Sequence, residues 1–136
     1  MSRRSRNAFL ALILTQAVHS TEEYFTRLYS VLAPARLVSG FLFGDPRIGF
    51  VVFNASLAAF GLWCYLGPVR HATPSAAPLA WCWVILEALN GAVHIIWAAS
   101  AGAYRPGLAT APVLLVIAVV LGSALRRAHA ASNAAA

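Results

Sequence analysis

The sequence predicts an all-α protein: a four-helix transmembrane bundle, one membrane domain over residues 1–136, with an apolar interfacial or re-entrant segment between helices one and two. Three observations predict it. The chain is 60% hydrophobic and only 10% charged, where a soluble domain carries roughly 25% charged residues. Four apolar stretches, at about 7–30, 48–66, 77–100 and 108–125, are separated by proline and glycine. The ten basic residues, all arginine, gather near the ends of those stretches, as membrane anchors do.

Segment one, 7–30, begins behind Arg3, Arg4 and Arg6. An arginine-rich start followed by an apolar run is also how a signal peptide begins, but no convincing small-x-small site follows Ala17, so the segment is read as retained. Its cleanly apolar part stops near Val18. It can cross a bilayer only if its polar half faces protein or a wet cavity. The next stretch, 31–46, contains Pro34 and Gly40 ahead of Phe41, Leu42 and Phe43. It is too apolar for water, and it is expected to lie at the interface, interrupted at Pro34 and Gly40, covering a pocket mouth.

Segments two, three and four each approach the ~20 apolar residues that span a bilayer. Gly67-Pro68 is expected to end segment two, Pro74 and Pro78 to open segment three, and Pro106-Gly107 to separate three from four. Cys64 and Cys82 fall inside apolar segments and are read as core-filling thiols. The tail, 128–136, is small and polar and is expected to fray.

Four crossings put both termini and the middle loop on one side, with Arg3, Arg4, Arg6, Arg70, Arg126 and Arg127. The other side carries Arg36, Arg47 and Arg105, with Arg27 near a helix end. That bias predicts a multi-pass protein of the plasma (cytoplasmic) membrane with both termini in the cytoplasm. Arginines dispersed in this way are not a nucleic-acid footprint, which clusters on one face or tail. The expected partners are the bilayer and a lipophilic small molecule, with no nucleic acid.

This topology collects the polar residues. Segment one runs outward, so His19, Glu22 and Glu23 lie in its outer half. Spaced three and four apart, they share a helical face, which Thr15 and Thr26 extend. Segment three also runs outward, and Glu87, Asn90, Gly91 and His94 follow one another at i, i+3, i+4 and i+7, again on one face. Asn54 lies in the outer half of segment two. Isolated charges in hydrocarbon are costly enough that two such stripes should face each other, and Gly91 allows close approach of a neighbour.

Three motifs in order, "HSTEE" at 19–23, "NGAVH" at 90–94 and "YRPG" at 104–107, resemble the H-x-x-E-E, N-x-x-x-H and Y-x-P-G signatures of the HXXEE-domain family of small integral membrane proteins. The resemblance implies a shared polar site. It implies no particular reaction.

Several chemistries fit. Histidines and carboxylates on facing helices build metal centres: His19, His94, Glu22, Glu23 and Glu87 are candidate ligands for zinc, iron or manganese. In that reading one of Glu22 and Glu23 ligates and the other is a catalytic base. Glu87 completes the shell or bridges a second ion, and Asn90 orients a ligand; Asn54 is a further candidate for ligand contact but reads better as a helix–helix hydrogen-bonding residue, and Tyr104 is either a lid residue or an interfacial anchor. The same groups without a metal form an acid/base pair for isomerisation, cyclisation or hydrolysis. A non-enzymatic protein binding a ligand or ion, or a register-fixing polar network with Glu23 paired to Arg27, would present the same residues. Trp83 is better read as core than as pocket wall, and His71 and His129 as solvated.

Overall fold

The computed structural model describes residues 1–134, with the side chain of Leu42 outside that description; the expectation for positions 135 and 136 therefore lies beyond it. The described residues are helical, with no strand among them: α1 (Arg3–Phe25), α2 (Leu28–Val31), α3 (Ala33–Phe43), α4 (Pro46–Cys64), a π-helical turn (Tyr65–Val69), α5 (Ala76–Ala101) and α6 (Ala111–Ala134). Three helical stretches are long and apolar enough to cross a membrane, Pro46–Val69, Ala76–Ala101 and Ala111–Ala134.

The first helix ends earlier than expected, at Phe25. Thr26 turns its hydroxyl back to the Glu22 carbonyl at 2.7 Å, and Arg27 takes a left-handed conformation with φ of 60°. The chain then makes the single turn of α2 and enters α3. Pro34 does not interrupt this stretch. It stands in the first turn of α3, where its fixed φ suits a helix start and its missing N–H costs nothing. Gly44, with φ of 68°, closes α3. Asp45 then caps α4 by accepting from the Arg47 N–H at 2.8 Å, so α4 begins at 46 rather than 48.

The α3–α4 hairpin is tight. A Cβ on Gly49 would lie 1.9 Å from the Ser39 carbonyl oxygen, so only glycine allows this approach. The outward residues Leu37 and Phe41 of α3 are exposed.

Gly67-Pro68 does not end the second long helix. The backbone widens into the π turn, which accommodates the lost N–H of Pro68, and helix continues to His71 before Ala72 turns with φ of 52°. Gly102, also left-handed, stops α5. The fourth apolar segment becomes helical at 111, not 108, because 104–110 is spent in a loop over the site. Its far end is helical to Ala134.

α1 packs along α4 and α6, and α5 packs along α6. Gly91 meets the start of α6, where a Cβ would stand 2.9 Å from the Ala111 carbonyl. The core lies toward the termini and the 70s turn: Phe9, Leu12, Ile13, Cys64, Val69, Trp83, Leu114 and Leu121 are buried together. Trp83 sits edge-on to Phe9 and stacks on Phe60, so it is core. Cys82 points outward and is not. At the opposite end Leu28, Tyr29 and Phe50 form a second, smaller cluster.

Candidate metal centre

Nearly every long helix sends a polar residue to the level between the two clusters. On α1 the buried face is Gln16, His19, Ser20 and Glu23, not the Thr15 stripe of the sequence reading. On α5, Glu87, Gly91 and His94 are buried. The stripes do converge: the His19 and His94 rings stand 4.8 Å apart at 85°. His19, Glu23 and His94 place one ligand atom each within 4.8 Å of one another, a group that could hold a metal ion.

Glu23 stands between the imidazoles. Its Oε1 lies 3.4 Å from His19 Nε2 and 3.0 Å from His94 Nε2. All three residues are at most 5% exposed. His19 and Glu23 are spaced i and i+4 on α1, one helical turn, so both side chains reach the same point. Glu23 is not paired to Arg27.

The outer nitrogens decide the tautomers. His94 Nδ1 is 2.6 Å from the Pro106 carbonyl oxygen, which can only accept, so His94 Nδ1 carries the proton. His19 Nδ1 is 2.7 Å from Thr110 Oγ1. That hydroxyl is itself 2.5 Å from Glu22 Oε2, to which it donates, so it accepts from His19. In the neutral imidazoles both Nε2 lone pairs therefore point inward, toward Glu23 Oε1. Three acceptors facing one another without a bridging cation or proton repel. His19 Nε2 is buried with no hydrogen-bond partner, as an atom reserved for a bridging ion would be. Tetrahedral ligands about 2.0–2.1 Å from zinc would be roughly 3.3 Å apart, close to the two spacings at Glu23. The residues present could hold a metal ion.

Glu22, one residue and 100° away, does something else. Its carboxylate accepts from the Tyr104 hydroxyl, from the Ala109 N–H at 3.0 Å and from the Thr110 N–H at 2.9 Å, besides the Thr110 hydroxyl. It clamps the 104–110 loop and sits at the start of α6, where the helix dipole favours an anion. Its bond to Tyr104 pushes that phenol up to about 12. Tyr104 is thus a tie on the loop. Gly107 explains why the loop carries glycine: φ is 85°, and a Cβ would stand 2.6 Å from His94 Nδ1 and 2.9 Å from His19 Cε1. Arg105 lies over the Trp97 ring at 5.3 Å, and Trp97 neighbours His94.

Glu87 is not brought to the three-residue group. It is two helical turns below His94, about 10 Å along α5, and fully buried. Asn90 links it weakly to α1, donating at 3.5 Å to Glu87 Oε2 and at 3.4 Å to Gln16 Oε1. Asn54 accepts from Ser20 at 2.7 Å and donates to the Phe50 carbonyl, a helix-joining role.

Thr110, Gln16 and the Pro106 carbonyl were not singled out in the sequence. A threonine just before an apolar helix reads only as a cap, and a backbone carbonyl leaves no trace in composition.

In comparisons with known proteins, no family model, no curated protein and no solved structure matches this chain.

Proposed function

We propose that this chain is a four-crossing integral membrane protein of the HXXEE type whose His19, Glu23 and His94 bind one divalent metal ion, and that it is an enzyme acting on a lipophilic substrate. The observation that carries the proposal is the pair of inward Nε2 lone pairs meeting a carboxylate oxygen in a buried site. Two imidazoles and one carboxylate is a zinc-type donor set, and manganese or iron would accept it. Such an ion supplies Lewis-acid activation of a substrate or water. Pro106 and the Thr110–Glu22 pair hold the imidazoles in one tautomer and orientation. Glu22, held by four donors, is a positioning residue, and Glu23 is the ligand.

The fourth crossing is α1. Its outward face, Leu14, Val18 and Phe25, is exposed and apolar, while its polar face meets α5 and the 104–110 loop. A helix of this kind can face lipid on one side only. The arginine distribution favours cytoplasmic termini and a centre nearer the opposite surface, in the plasma membrane.

One specific observation supports a second reading. The 3.0 Å separation of Glu23 and His94 is also hydrogen-bond length, so a proton in place of a metal gives an acid/base pair. Metal analysis of detergent-purified protein distinguishes the two. The metal reading expects about one zinc, manganese or iron per chain, lost in His19→Ala, His94→Ala and Glu23→Ala and kept in His71→Ala and His129→Ala. Folded wild-type protein that takes up no metal refutes it and leaves the acid/base reading.

A further inference from the structure

A cavity of about 440 Å³ adjoins the centre, within the ~300–1,000 Å³ range of small-molecule sites. Glu23 lines it, so cavity and centre share a wall. Val38, Phe50 and Leu57 border it on the α3–α4 side, and Leu86, Leu89 and Val93 on α5. α4 and α5 meet where Phe60 and Gly61 reach Trp83, but they share no extended contact along their lengths. The cavity occupies the space where they part. Phe53, Leu89 and Val93, at its edge, are exposed and apolar, so the opening faces hydrocarbon.

Its charged lining is acidic: Glu23 and Glu87 stand beside the amides of Gln16, Asn54 and Asn90 and the Ser39 hydroxyl. Glu87 lines the cavity, is 0% exposed, and its Oε1 has no partner. No cation pairs with it among the described residues. The Asn90 amide already donates toward Glu87 and Gln16. A buried carboxylate without a partner is expensive, and a charged donor is its strongest complement. The geometry points to a ligand that enters sideways between α4 and α5: a lipophilic amine whose alkyl part fills the apolar walls and whose head group donates to Glu87. As a substrate assignment this rests on the neighbouring centre being the reacting site. As a binding site it does not.

The test uses nanodisc-embedded full-length protein and two probes, a C12 alkylamine with a mid-chain diazirine and the corresponding methyl ether, which has no donor. After illumination, peptide mass spectrometry locates the adducts. The amine is expected to label α4 near Phe53 and Leu57 and α5 near Leu89 at least tenfold more than the ether does. Glu87→Leu and Glu87→Gln each reduce the amine to the ether's level, and Leu57→Trp, which fills the cavity, removes both. Metal content, read on the same samples, reports the centre separately: metal-free protein with selective amine labelling sinks the metal reading alone. Equal labelling by amine and ether in the wild type, or undiminished amine labelling in both Glu87 variants, overturns the inference.

Discussion

Replacing Thr110 by valine isolates the support of the centre from the centre itself. Valine keeps the shape and removes only the hydroxyl that stands 2.7 Å from His19 Nδ1 and 2.5 Å from Glu22 Oε2. Glu22 keeps its bonds to Tyr104 and to the Ala109 and Thr110 N–H groups, so the loop stays tied. His19 Nδ1–H is left buried without an acceptor, at a cost of about 1–3 kcal/mol, or roughly 5- to 150-fold in an equilibrium constant. Loss of an outer partner from a metal-bound histidine weakens binding about 10–100-fold. The two magnitudes overlap, and a ten- to hundredfold loss of affinity is expected. Competition against a chromophoric chelator in detergent measures it, with gel filtration and circular dichroism as folding controls. Thr110→Ser restores the hydroxyl and should restore the affinity. A folded Thr110→Val protein that binds metal as tightly as wild type refutes the assignment of Thr110 as the group that orients His19.

Three further outcomes follow from the same contacts. Gly107→Ala combines a left-handed φ with a Cβ 2.6 Å from His94 Nδ1; it should cost about 1–2 kcal/mol in backbone strain alone and displace both imidazoles, seen as a lower thermal midpoint and weaker metal binding. Gly49→Ala drives a methyl onto the Ser39 carbonyl and should release α3 from α4, seen as faster proteolysis or hydrogen exchange across 33–43 with α5 and α6 unchanged. Tyr104 donates to Glu22 only as the neutral phenol, and its value is raised to about 12 from an unfolded value of about 10. Its contribution to stability is therefore full below pH ~10 and is lost as pH rises through about 12; in a tyrosinate absorbance titration the last step should vanish in Tyr104→Phe and move to lower pH in Glu22→Gln.

The helices were legible where hydropathy alone decides them. The sequence predicts α5 over 77–100 and it runs from Ala76 to Ala101, because proline and glycine bound a largely apolar run. Punctuation misled where its meaning depends on register. Pro34 opens a helix instead of breaking one, and Pro68 is absorbed in a π turn. The small, polar tail is rich in alanine, the best helix former, and it extends α6 to Ala134.

At the site, periodicity brought out His19, Glu22, Glu23, Glu87, Asn90 and His94 but could not apportion them. Glu22 and Glu23 differ by 100° of rotation, and only the position of α6 gives one to the loop and the other to the histidines. Glu87 shares the face of His94 yet lies two turns below it. Face is visible in a sequence, whereas depth along a helix pair depends on how the helices are staggered. Thr110 leaves no signal in the sequence because its role requires the 104–110 loop to fold back over α1, a long-range contact with no local pattern.

The central claim is that both imidazoles and Glu23 surround one ion. X-ray absorption at the zinc edge of the zinc-loaded protein tests it most directly. Two imidazole nitrogens at about 2.0–2.1 Å with oxygen ligands near 2.0–2.2 Å are expected. A spectrum with no imidazole scattering, or with sulfur at about 2.3 Å, would contradict it.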